Sequence, residues 1–346
     1  MKGHITVLGA GAWGTVLSKI LAENGYTVHL WSYESEVAEQ INREHQNVAY
    51  LPHIVLPEQV IAYTHPEQAV LGSEAIINVV ISRGIRDLLR EMPIGVADKP
   101  WLSATKGLEP QTGLRISQIL LSTGKAKREQ LAVLSGPNLA SEIALEAPAT
   151  SVVGAETKEI ALYFQSALMR PYFRIYIQPD PIGVELGGAL KNIIALAAGI
   201  CDGLKIGDNG KAALITRGLS EMTRLGVQLG AEAETFSGLS GMGDLVATCA
   251  SHHSRNRWCG EQLGLGRNLD EIISSTHSVV EGVRTTQAVM DIARKLYLEL
   301  PITSAVYEIL FEGKDPAQQV EQLMSRMARP ENVSLAQKKW ERSSHL

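Results

Sequence analysis

Short apolar runs rich in β-branched residues alternate with helical patterns over the first half of the chain. Runs of this length and composition are typical of buried strands. They occupy residues 4–9, 27–31, 75–81, 101–105, 131–135, 150–154 and 172–177, with residues 60–64 as a further candidate. Strands that alternate with helices form βαβ units, so this half predicts an α/β fold with a mainly parallel sheet.

The pattern changes after the stretch QPDPIG at residues 178–183. Long segments rich in Ala, Leu and Gly follow, and they predict helices with almost no strand between them. We therefore expect an α/β domain at residues 1–180 and an all-helical domain at residues 181–346. The end of the chain, residues 337–346, is polar and is expected to be loosely held.

One predicted helix, residues 183–203, is apolar on nearly every face but carries Lys191 near its middle. An all-apolar helix is normally buried, and burying an unpaired ammonium is costly. One interpretation is a lysine whose stem covers apolar surface while its charge reaches water. The other is a proton donor whose surroundings lower its pKa, with Gly187 and Gly188 letting other groups come close.

Composition excludes several classes of protein. The net charge of -5, without a basic block, argues against nucleic acid as a partner. No apolar run reaches the roughly 18 residues that a membrane span needs, and no signal peptide precedes the first strand, so a cytoplasmic protein is expected. The three cysteines, Cys201, Cys249 and Cys259, form no CxxC pair, which argues against a disulfide framework or a zinc site and suits a reducing compartment.

A glycine-rich turn follows the first predicted strand. Gly9, Gly11 and Gly14 have the G-x-G-x-x-G spacing, and the helix after them ends at Asn24-Gly25 before a second strand. In this context the three glycines allow a tight turn, close approach of a pyrophosphate and close packing of helix on strand. The segment predicts a Rossmann-like dinucleotide site.

The end of the second strand leaves the choice of cofactor open. An acidic residue there usually binds the ribose of NAD, and a basic one accepts the 2′-phosphate of NADP. Ser32 and Tyr33 occupy the deciding positions, and Glu34 lies slightly beyond. The Ser32 hydroxyl could reach the phosphate and the Tyr33 ring could face adenine, so use of both cofactors is expected.

A series of motifs in one order carries a specific resemblance. They are SATKGLE (103–109), LSGPNLASEIA (134–144), GVELGGALKNIIALAAGICDGL (183–204), KAALITRGLSEMTRLGVQLGA (211–231), GLSGMGDLVATC (238–249), SRNR (254–257) and VVEGVRTTQAV (279–289). Over roughly residues 4–325 the chain resembles bacterial-type NAD(P)-dependent glycerol-3-phosphate dehydrogenase. The resemblance implies reversible reduction of dihydroxyacetone phosphate for glycerophospholipid synthesis, a helical domain like that of 6-phosphogluconate dehydrogenase, a homodimer and a preference for NADPH.

The resemblance also implies a role for individual residues, with Lys191 as the catalytic residue and no metal. The implied substrate-binding residues are Lys106, Gly136, Asn138, Lys191, Asp244, Ser254, Arg255 and Asn256. The implied cofactor-binding residues are Gly9, Gly11, Ala12, Trp13, Gly14, Tyr33, Lys106, Ala140, Arg255, Val279 and Glu281. Two positions depart from the family: Asn138 stands where Ser or Thr is common, and Tyr33 where Arg or His is common.

The chemistry of these residue types suits the implied roles. A ketone reduction needs a proton donor within reach of the carbonyl oxygen, and arginine binds phosphate through a fork of hydrogen bonds. Asp244 could instead cap a helix, and Thr248, one turn later, would face the same way. Arg257 is expected to be a solvated surface residue, and so are His252 and His253, which have no metal-ligand spacing.

Two other functions remain open at this point. One is a dehydrogenase of the same two-domain architecture that acts on a hydroxyacid. The other is a nucleotide-sensing protein without turnover, which would be expected to lack a proton donor. An assay with dihydroxyacetone phosphate and a reduced nicotinamide cofactor separates them.

Overall fold

The computed structural model describes residues 2–276, 279–328 and 330–331. The polar tail at residues 337–346 lies outside the described residues. The strands are β1 His4–Leu8, β2 Thr27–Trp31, β3 Gln46–Asn47, β4 Leu51–Val55, β5 Val60–Tyr63, β6 Ala75–Asn78, β7 Trp101–Ser103, β8 Leu131–Ser135, β9 Ala149–Ala155 and β10 Phe173–Gln178.

The α-helices follow the alternation that the sequence predicts. They are α1 Ala12–Glu23, α2 Ser35–Glu44, α3 Pro66–Ala69, α4 Ile85–Glu91, α5 Ile116–Ser122, α6 Ala140–Ala144, α7 Lys158–Leu168, α8 Pro181–Gly203, α9 Asp208–Gln228, α10 Asp244–Ala250, α11 Arg255–Gly264, α12 Leu269–Ser274, α13 Glu281–Lys295, α14 Pro301–Glu312 and α15 Pro316–Met324.

Eight strands form one sheet in the order β10-β9-β8-β7-β6-β1-β2-β5. Neighbouring strands run parallel except β8 and β9, which pair antiparallel. The prediction of a mainly parallel sheet is confirmed. The strand order reverses beside β1, and in such sheets the crevice at the carboxyl ends of the strands is where ligands bind.

A small hairpin of β3 and β4 is absent from the prediction. The pattern there is weak because β3 has two residues, β4 contains Pro52, and His53 has a positive φ of 68°. Proline cannot donate to a ladder, and a positive φ is uncommon outside glycine. The hairpin lies between α2 and β5 and reaches the glycine-rich turn through Asn47, as described below.

The helical half is built around α8. Asp180 caps its start by accepting a hydrogen bond from the Gly183 amide at 2.8 Å, and Pro181 occupies the first turn, where proline needs no N–H partner. Every residue of α8 from Gly183 to Cys201 is buried. The apolar side chains among them form the centre of the apolar core of the helical half. This arrangement confirms the predicted Rossmann-like domain followed by a helical domain.

By length and composition alone, the expectation that no apolar run is long enough to span a membrane is wrong for α8. Among the described residues, Pro181–Gly203 is the one helix long and apolar enough to span a membrane. Its most apolar stretch of 18 residues is fully buried inside the protein. The helix is apolar because it is surrounded by protein on every side.

Candidate active site

The glycine-rich turn leads from β1 into α1. Gly9 has a φ of +115°, which a side chain would strain, and a Cβ on Gly14 would collide with the Gly9 carbonyl oxygen. No described side chain caps α1, whose first residue is Ala12. The first N–H groups of a helix have no acceptor within it, so this end of α1 is open to an anion.

Trp13 lies within the glycine-rich turn, between Gly11 and Gly14. It is half-buried and packs edge-on against Phe173 at 6.1 Å between ring centroids. Its indole Nε1 is shielded from water and has no partner among the described residues. A buried N–H donor without an acceptor is uncommon, so this atom marks a place where a ligand would complete the hydrogen bonding.

The end of β2 differs from the expectation about Ser32. Ser32 is fully buried, and its hydroxyl donates to the Glu34 carbonyl at 2.9 Å. The hydroxyl is therefore not available to a phosphate that binds from solvent. Tyr33 is 84% exposed. The Glu34 carboxylate accepts a hydrogen bond from the Tyr50 hydroxyl at 2.7 Å. Tyr33 and Glu34 are therefore the side chains available at this strand end.

Lys191 lies inside the fold, with 6% of its surface exposed. Its ammonium donates to Oδ1 of Asp244 and, at 2.6 Å, to the Thr248 hydroxyl. Thr248 in turn donates to the Asp244 backbone carbonyl at 2.6 Å. The interpretation of a lysine reaching water is therefore wrong, because the charge is held by an internal carboxylate.

Lys106 approaches the same carboxylate from the other side. Its ammonium lies 2.6 Å from Oδ2 of Asp244 and 2.8 Å from the Gly136 carbonyl oxygen. Lys106 follows β7 at the carboxyl edge of the sheet, whereas Asp244 begins α10 after a turn of π-helix at Leu239–Gly243. Single π turns are frequent at functional sites. Asp244 is not the N-cap of α10, since Gly243 occupies that position, and its carboxylate binds the two lysines instead.

The two ammonium groups have protons to spare. An ammonium carries three N–H donors. Within the described part of the chain, Lys191 uses one on Asp244 and one on Thr248, and Lys106 uses one on Asp244 and one on Gly136. One donor remains on each lysine, and together with Asp244 they leave one positive charge in excess.

The surroundings of Lys191 change its acidity. Burial lowers the pKa of its ammonium from the usual 10.5 to about 8. The Asp244 carboxylate opposes that shift, and the neighbouring Lys106 ammonium adds to it. A lysine with such a pKa can release and take up a proton near neutral pH.

Close packing beside Lys191 explains the small residues before it. A Cβ on Gly188 would collide with the Ser135 hydroxyl, and a Cβ on Gly187 would lie 2.6 Å from the Ser240 carbonyl oxygen. The backbone of α8 therefore approaches both β8 and the turn before α10. This close approach is the one predicted from the sequence.

Asn138 lies beside this cluster in the turn after β8. Its Oδ1 accepts a hydrogen bond from the Ser151 hydroxyl of β9. Its Nδ2 is shielded from water and has no partner among the described residues. A buried amide with its donors unused next to Gly136 is able to bind an acceptor on a ligand.

The start of α11 carries the SRNR motif. Ser254 caps the helix by accepting a hydrogen bond from the Arg257 amide at 3.2 Å. Asn256 is buried and bridges two elements, because it donates to Asn192 Oδ1 at 2.9 Å and accepts from the Gly282 amide at 2.9 Å. Arg255 is exposed at this helix start. The motif thus reaches α8 at the residue next to Lys191.

Arg257 is not the solvated surface residue that the sequence suggests. It is buried, and its Nε lies 2.7 Å from the Asp202 carboxylate, which also accepts from Lys211 at 2.8 Å. Asp202 therefore joins the end of α8 to the start of α11 through Arg257 and to α9 through Lys211. His252 and His253 are exposed, as expected.

The remaining candidate residues lie on helix starts near the sheet edge. Glu281, the first residue of α13, is half-buried and accepts a hydrogen bond from the Ser82 hydroxyl at 3.1 Å. Burial raises the pKa of its carboxyl above the usual value. Val279 and Ala140 are also half-buried. Ser82 follows β6, so this contact joins the helical domain to the carboxyl edge of the sheet.

Comparison with known proteins then identifies the family. Two family models match the chain, the N-terminal part of NAD-dependent glycerol-3-phosphate dehydrogenase over residues 4–161 and its C-terminal part over residues 180–321. The chain belongs to the NAD-dependent glycerol-3-phosphate dehydrogenase family. The resemblance seen in the sequence is confirmed.

Individual members of this family are similar over nearly their whole length. The glycerol-3-phosphate dehydrogenase (NAD(P)+) of Bacillus pumilus is 49% identical over 325 residues, which are 93% of this chain and 94% of the relative. That of Bacillus cereus is 47% identical over 329 residues, 94% and 97% of the two chains. The crystal structure of the Coxiella burnetii glycerol-3-phosphate dehydrogenase has a TM-score of 0.88 at 38% identity, covering 94% of this chain and 99% of that one.

The glycine-rich region fits the nicotinamide dinucleotide that this family uses. The uncapped start of α1 is open to a pyrophosphate, and Gly14 lets that helix pack against the turn. The unpartnered indole N–H of Trp13 offers a further donor.

Sequence reasoning missed several residues around this site. Ser151 and Asn192 were not singled out, although they hold Asn138 and Asn256 through their side chains. Asn47 was also missed. Ser151 and Asn47 lie in no motif, because each acts on a residue of another segment of the chain. Asn192 lies within the motif at residues 183–204, directly after Lys191, and that position is its signal.

Proposed function

We propose that this protein catalyses the reversible NAD(P)-dependent interconversion of dihydroxyacetone phosphate and sn-glycerol 3-phosphate. The observation that carries the proposal is the pair of ammonium groups, Lys191 and Lys106, that share the buried Asp244 carboxylate. They stand between the carboxyl edge of the sheet and the helical domain. Membership in the family supports the reaction class.

Lys191 is the proposed proton donor to the ketone oxygen. Its lowered pKa allows transfer near neutral pH, and Asp244 and Thr248 hold the ammonium so that one N–H is directed to the substrate. In the reverse direction the neutral amine would take the proton of the substrate hydroxyl. The buried position keeps water from competing for that proton.

Lys106 is proposed to bind and orient the substrate beside Lys191. It is more exposed than Lys191, with 19% of its side chain accessible, and it also retains one donor. The excess positive charge of the cluster would stabilise negative charge that develops on the ketone oxygen. Gly136 and Asn138 line the same side, where the free Asn138 amide can donate.

The start of α11 is proposed to bind the substrate phosphate. Ser254, Arg255 and Asn256 lie there, and helix starts favour anions. Arg255 would supply a forked pair of donors. Because Asn256 is already bonded to Asn192 and Gly282, we expect it to order this helix start as well as to contact substrate.

The cofactor is proposed to bind along the glycine-rich turn. Bound NAD(P)H supplies the hydride in the reduction. The residues that would hold it are Gly9, Gly11, Ala12, Trp13, Gly14, Tyr33, Lys106, Ala140, Arg255, Val279 and Glu281. We expect both cofactors to be used, because neither Ser32 nor Tyr33 carries the charge that repels a 2′-phosphate. The preference for NADPH that we propose comes from the family resemblance and not from these two residues.

Three further expectations from the sequence belong to this proposal. We place the domain boundary at residues 180 and 181, between the end of β10 at Gln178 and the start of α8 at Pro181. We propose a homodimer that serves glycerophospholipid synthesis, as the resemblance implies. We propose a cytoplasmic location, since the free cysteines Cys201, Cys249 and Cys259 suit a reducing compartment.

One assay tests the proposed function. Purified protein is mixed with dihydroxyacetone phosphate and NADPH or NADH, and loss of the reduced cofactor is followed together with formation of sn-glycerol 3-phosphate. We expect turnover, and poor turnover of unphosphorylated dihydroxyacetone, because the phosphate-binding groups would lose their partner. Equal efficiency on both ketones would contradict the assignment of the α11 start as the phosphate site.

A further inference from the structure

Asn47 of the β3–β4 hairpin contacts the glycine-rich turn from behind. It is fully buried, and its Nδ2 donates to the Ala10 carbonyl at 2.7 Å and to the Thr15 hydroxyl at 2.8 Å. The Thr15 hydroxyl in turn donates a hydrogen bond to the Gly11 carbonyl at 2.9 Å. Both hydrogens of the Asn47 amide are thus used on the segment that precedes and begins α1.

We propose that Asn47 is a positioning residue for the cofactor, and that it sets the orientation of the peptide between Ala10 and Gly11. A peptide unit is planar and trans, so its C=O and N–H point in opposite directions. Holding the Ala10 carbonyl towards Asn47 therefore directs the Gly11 N–H away from the hairpin. The space beside Gly11 is open as well, since a Cβ on it would meet no atom within 4 Å, and no described side chain caps the start of α1.

The unpaired side-chain oxygen of Asn47 supports a role beyond stability. Its Oδ1 is shielded from water and has no partner among the described residues. An amide oxygen buried without a partner costs stability. The side chain is thus placed so that its donors serve the turn while its acceptor is left unpaired.

The inference rests on the dinucleotide-binding part of the proposed function, and binding of NADPH tests it without turnover. Asn47→Leu removes both donors and keeps the branched shape of the side chain with a larger volume, and Asn47→Ala removes them with a smaller side chain. NADPH is titrated by isothermal calorimetry, and circular dichroism and the thermal midpoint report folding. We expect the Kd for NADPH to rise about ten- to a hundredfold, the size of one hydrogen bond to a charged group.

Asn24→Ala is the matched control at the other end of α1. Asn24 also donates to two backbone carbonyls, those of Ala167 at 2.8 Å and Met169 at 3.3 Å. It lies far from the glycine-rich turn, so its loss should lower the thermal midpoint and leave the Kd for NADPH within about twofold. In steady-state assays the Asn47 variants should raise the KM for NADPH more than the KM for dihydroxyacetone phosphate.

Two results would overturn the inference. One is a folded Asn47 variant, either of the two, that binds NADPH as tightly as the wild type. The other is a loss of affinity in Asn24→Ala as large as that in the Asn47 variants, which would make the effect a general loss of structure. A wild type that binds NADPH without reducing dihydroxyacetone phosphate would contradict the proposed reaction while the comparison of Kd values still decides the role of Asn47.

Discussion

The Lys191 ammonium and the Asp244 carboxylate form an ion pair inside the protein, with 6% and 1% of their surfaces exposed. Burial lowers the pKa of Lys191, and Asp244 raises it, with a result of about 8. The same carboxylate binds Lys106, so one acidic residue controls both cationic groups of the site.

The rate of ketone reduction should fall as pH rises through about 8. The reduction needs the protonated ammonium of Lys191, whose pKa is about 8, so above that pH kcat/KM should drop about tenfold per pH unit. Oxidation of glycerol 3-phosphate needs the neutral amine and should rise over the same range. A pH profile of both directions measures this. Two profiles that are flat between pH 7 and 9 would rule out Lys191 as the titrating group.

Asp244→Asn should move the fall in the rate of ketone reduction to lower pH. The amide keeps the shape but loses the charge that raises the pKa of Lys191, while Lys106 continues to lower it. For each unit by which the pKa of Lys191 falls below about 8, the protonated fraction at pH 8 decreases, from about a half to about a tenth for the first unit, so kcat/KM for reduction at pH 8 should fall about fivefold or more. The pH profile of kcat/KM is the measurement.

Glu221→Gln is the control for Asp244→Asn. Glu221 is a buried carboxylate that accepts hydrogen bonds from the Ile302 and Thr303 amides at the start of α14. Its replacement should lower the thermal midpoint but leave the pH profile in place. If the fall of kcat/KM occurs at the same pH in Asp244→Asn as in the wild type, Asp244 does not set the acidity of Lys191.

Ser151→Ala should weaken substrate binding through Asn138. Without the Ser151 hydroxyl, the Asn138 amide loses the partner that fixes its Oδ1 and can turn its Nδ2 away. We expect the KM for dihydroxyacetone phosphate to rise about five- to tenfold, as for one lost hydrogen bond, with a smaller change in kcat. Ser103→Ala is the control, because the buried Ser103 hydroxyl has no partner among the described residues. Equal KM values in wild type and Ser151→Ala would exclude this coupling.

Tyr33→Arg should strengthen binding of NADPH and leave NADH nearly unchanged. The new guanidinium would pair with the 2′-phosphate, but because position 33 is 84% exposed the gain should be only about 1 kcal/mol, or about fivefold in Kd. The ratio of kcat/KM for the two cofactors measures it. Equal gains for NADH would show that the residue lies elsewhere, and strong rejection of NADPH by the wild type would mean that Glu34 binds the ribose.

The sequence was sufficient to predict the parts of the molecule that local pattern controls. The strands at residues 27–31 and 131–135 were predicted with the observed bounds. The roles of Gly9 and Gly14 also followed, since a tight turn and close helix packing impose residue types at fixed spacing. The apolar face of α8 predicted its burial.

Contacts between distant segments could not be predicted in the same way. Composition suggested that Arg257 is solvated, but the ion pair with Asp202 arises only when α11 packs on α8. The Ser32 hydroxyl is a local case: it donates to a backbone carbonyl two residues away, and the residue type alone does not reveal that contact. The hairpin that brings Asn47 to the glycine-rich turn has too weak a strand pattern to be recognised.

The most direct test of the account is the rate of dihydroxyacetone phosphate reduction by Lys191→Met at saturating NADPH, measured beside the wild type. Methionine keeps the length of the side chain and removes the proton donor. With folding and the Kd for NADPH close to those of the wild type, we predict a rate lower by about 10²–10⁴-fold, the usual contribution of a general acid. A folded variant that turns over at nearly the wild-type rate would contradict the assignment of Lys191 as the proton donor.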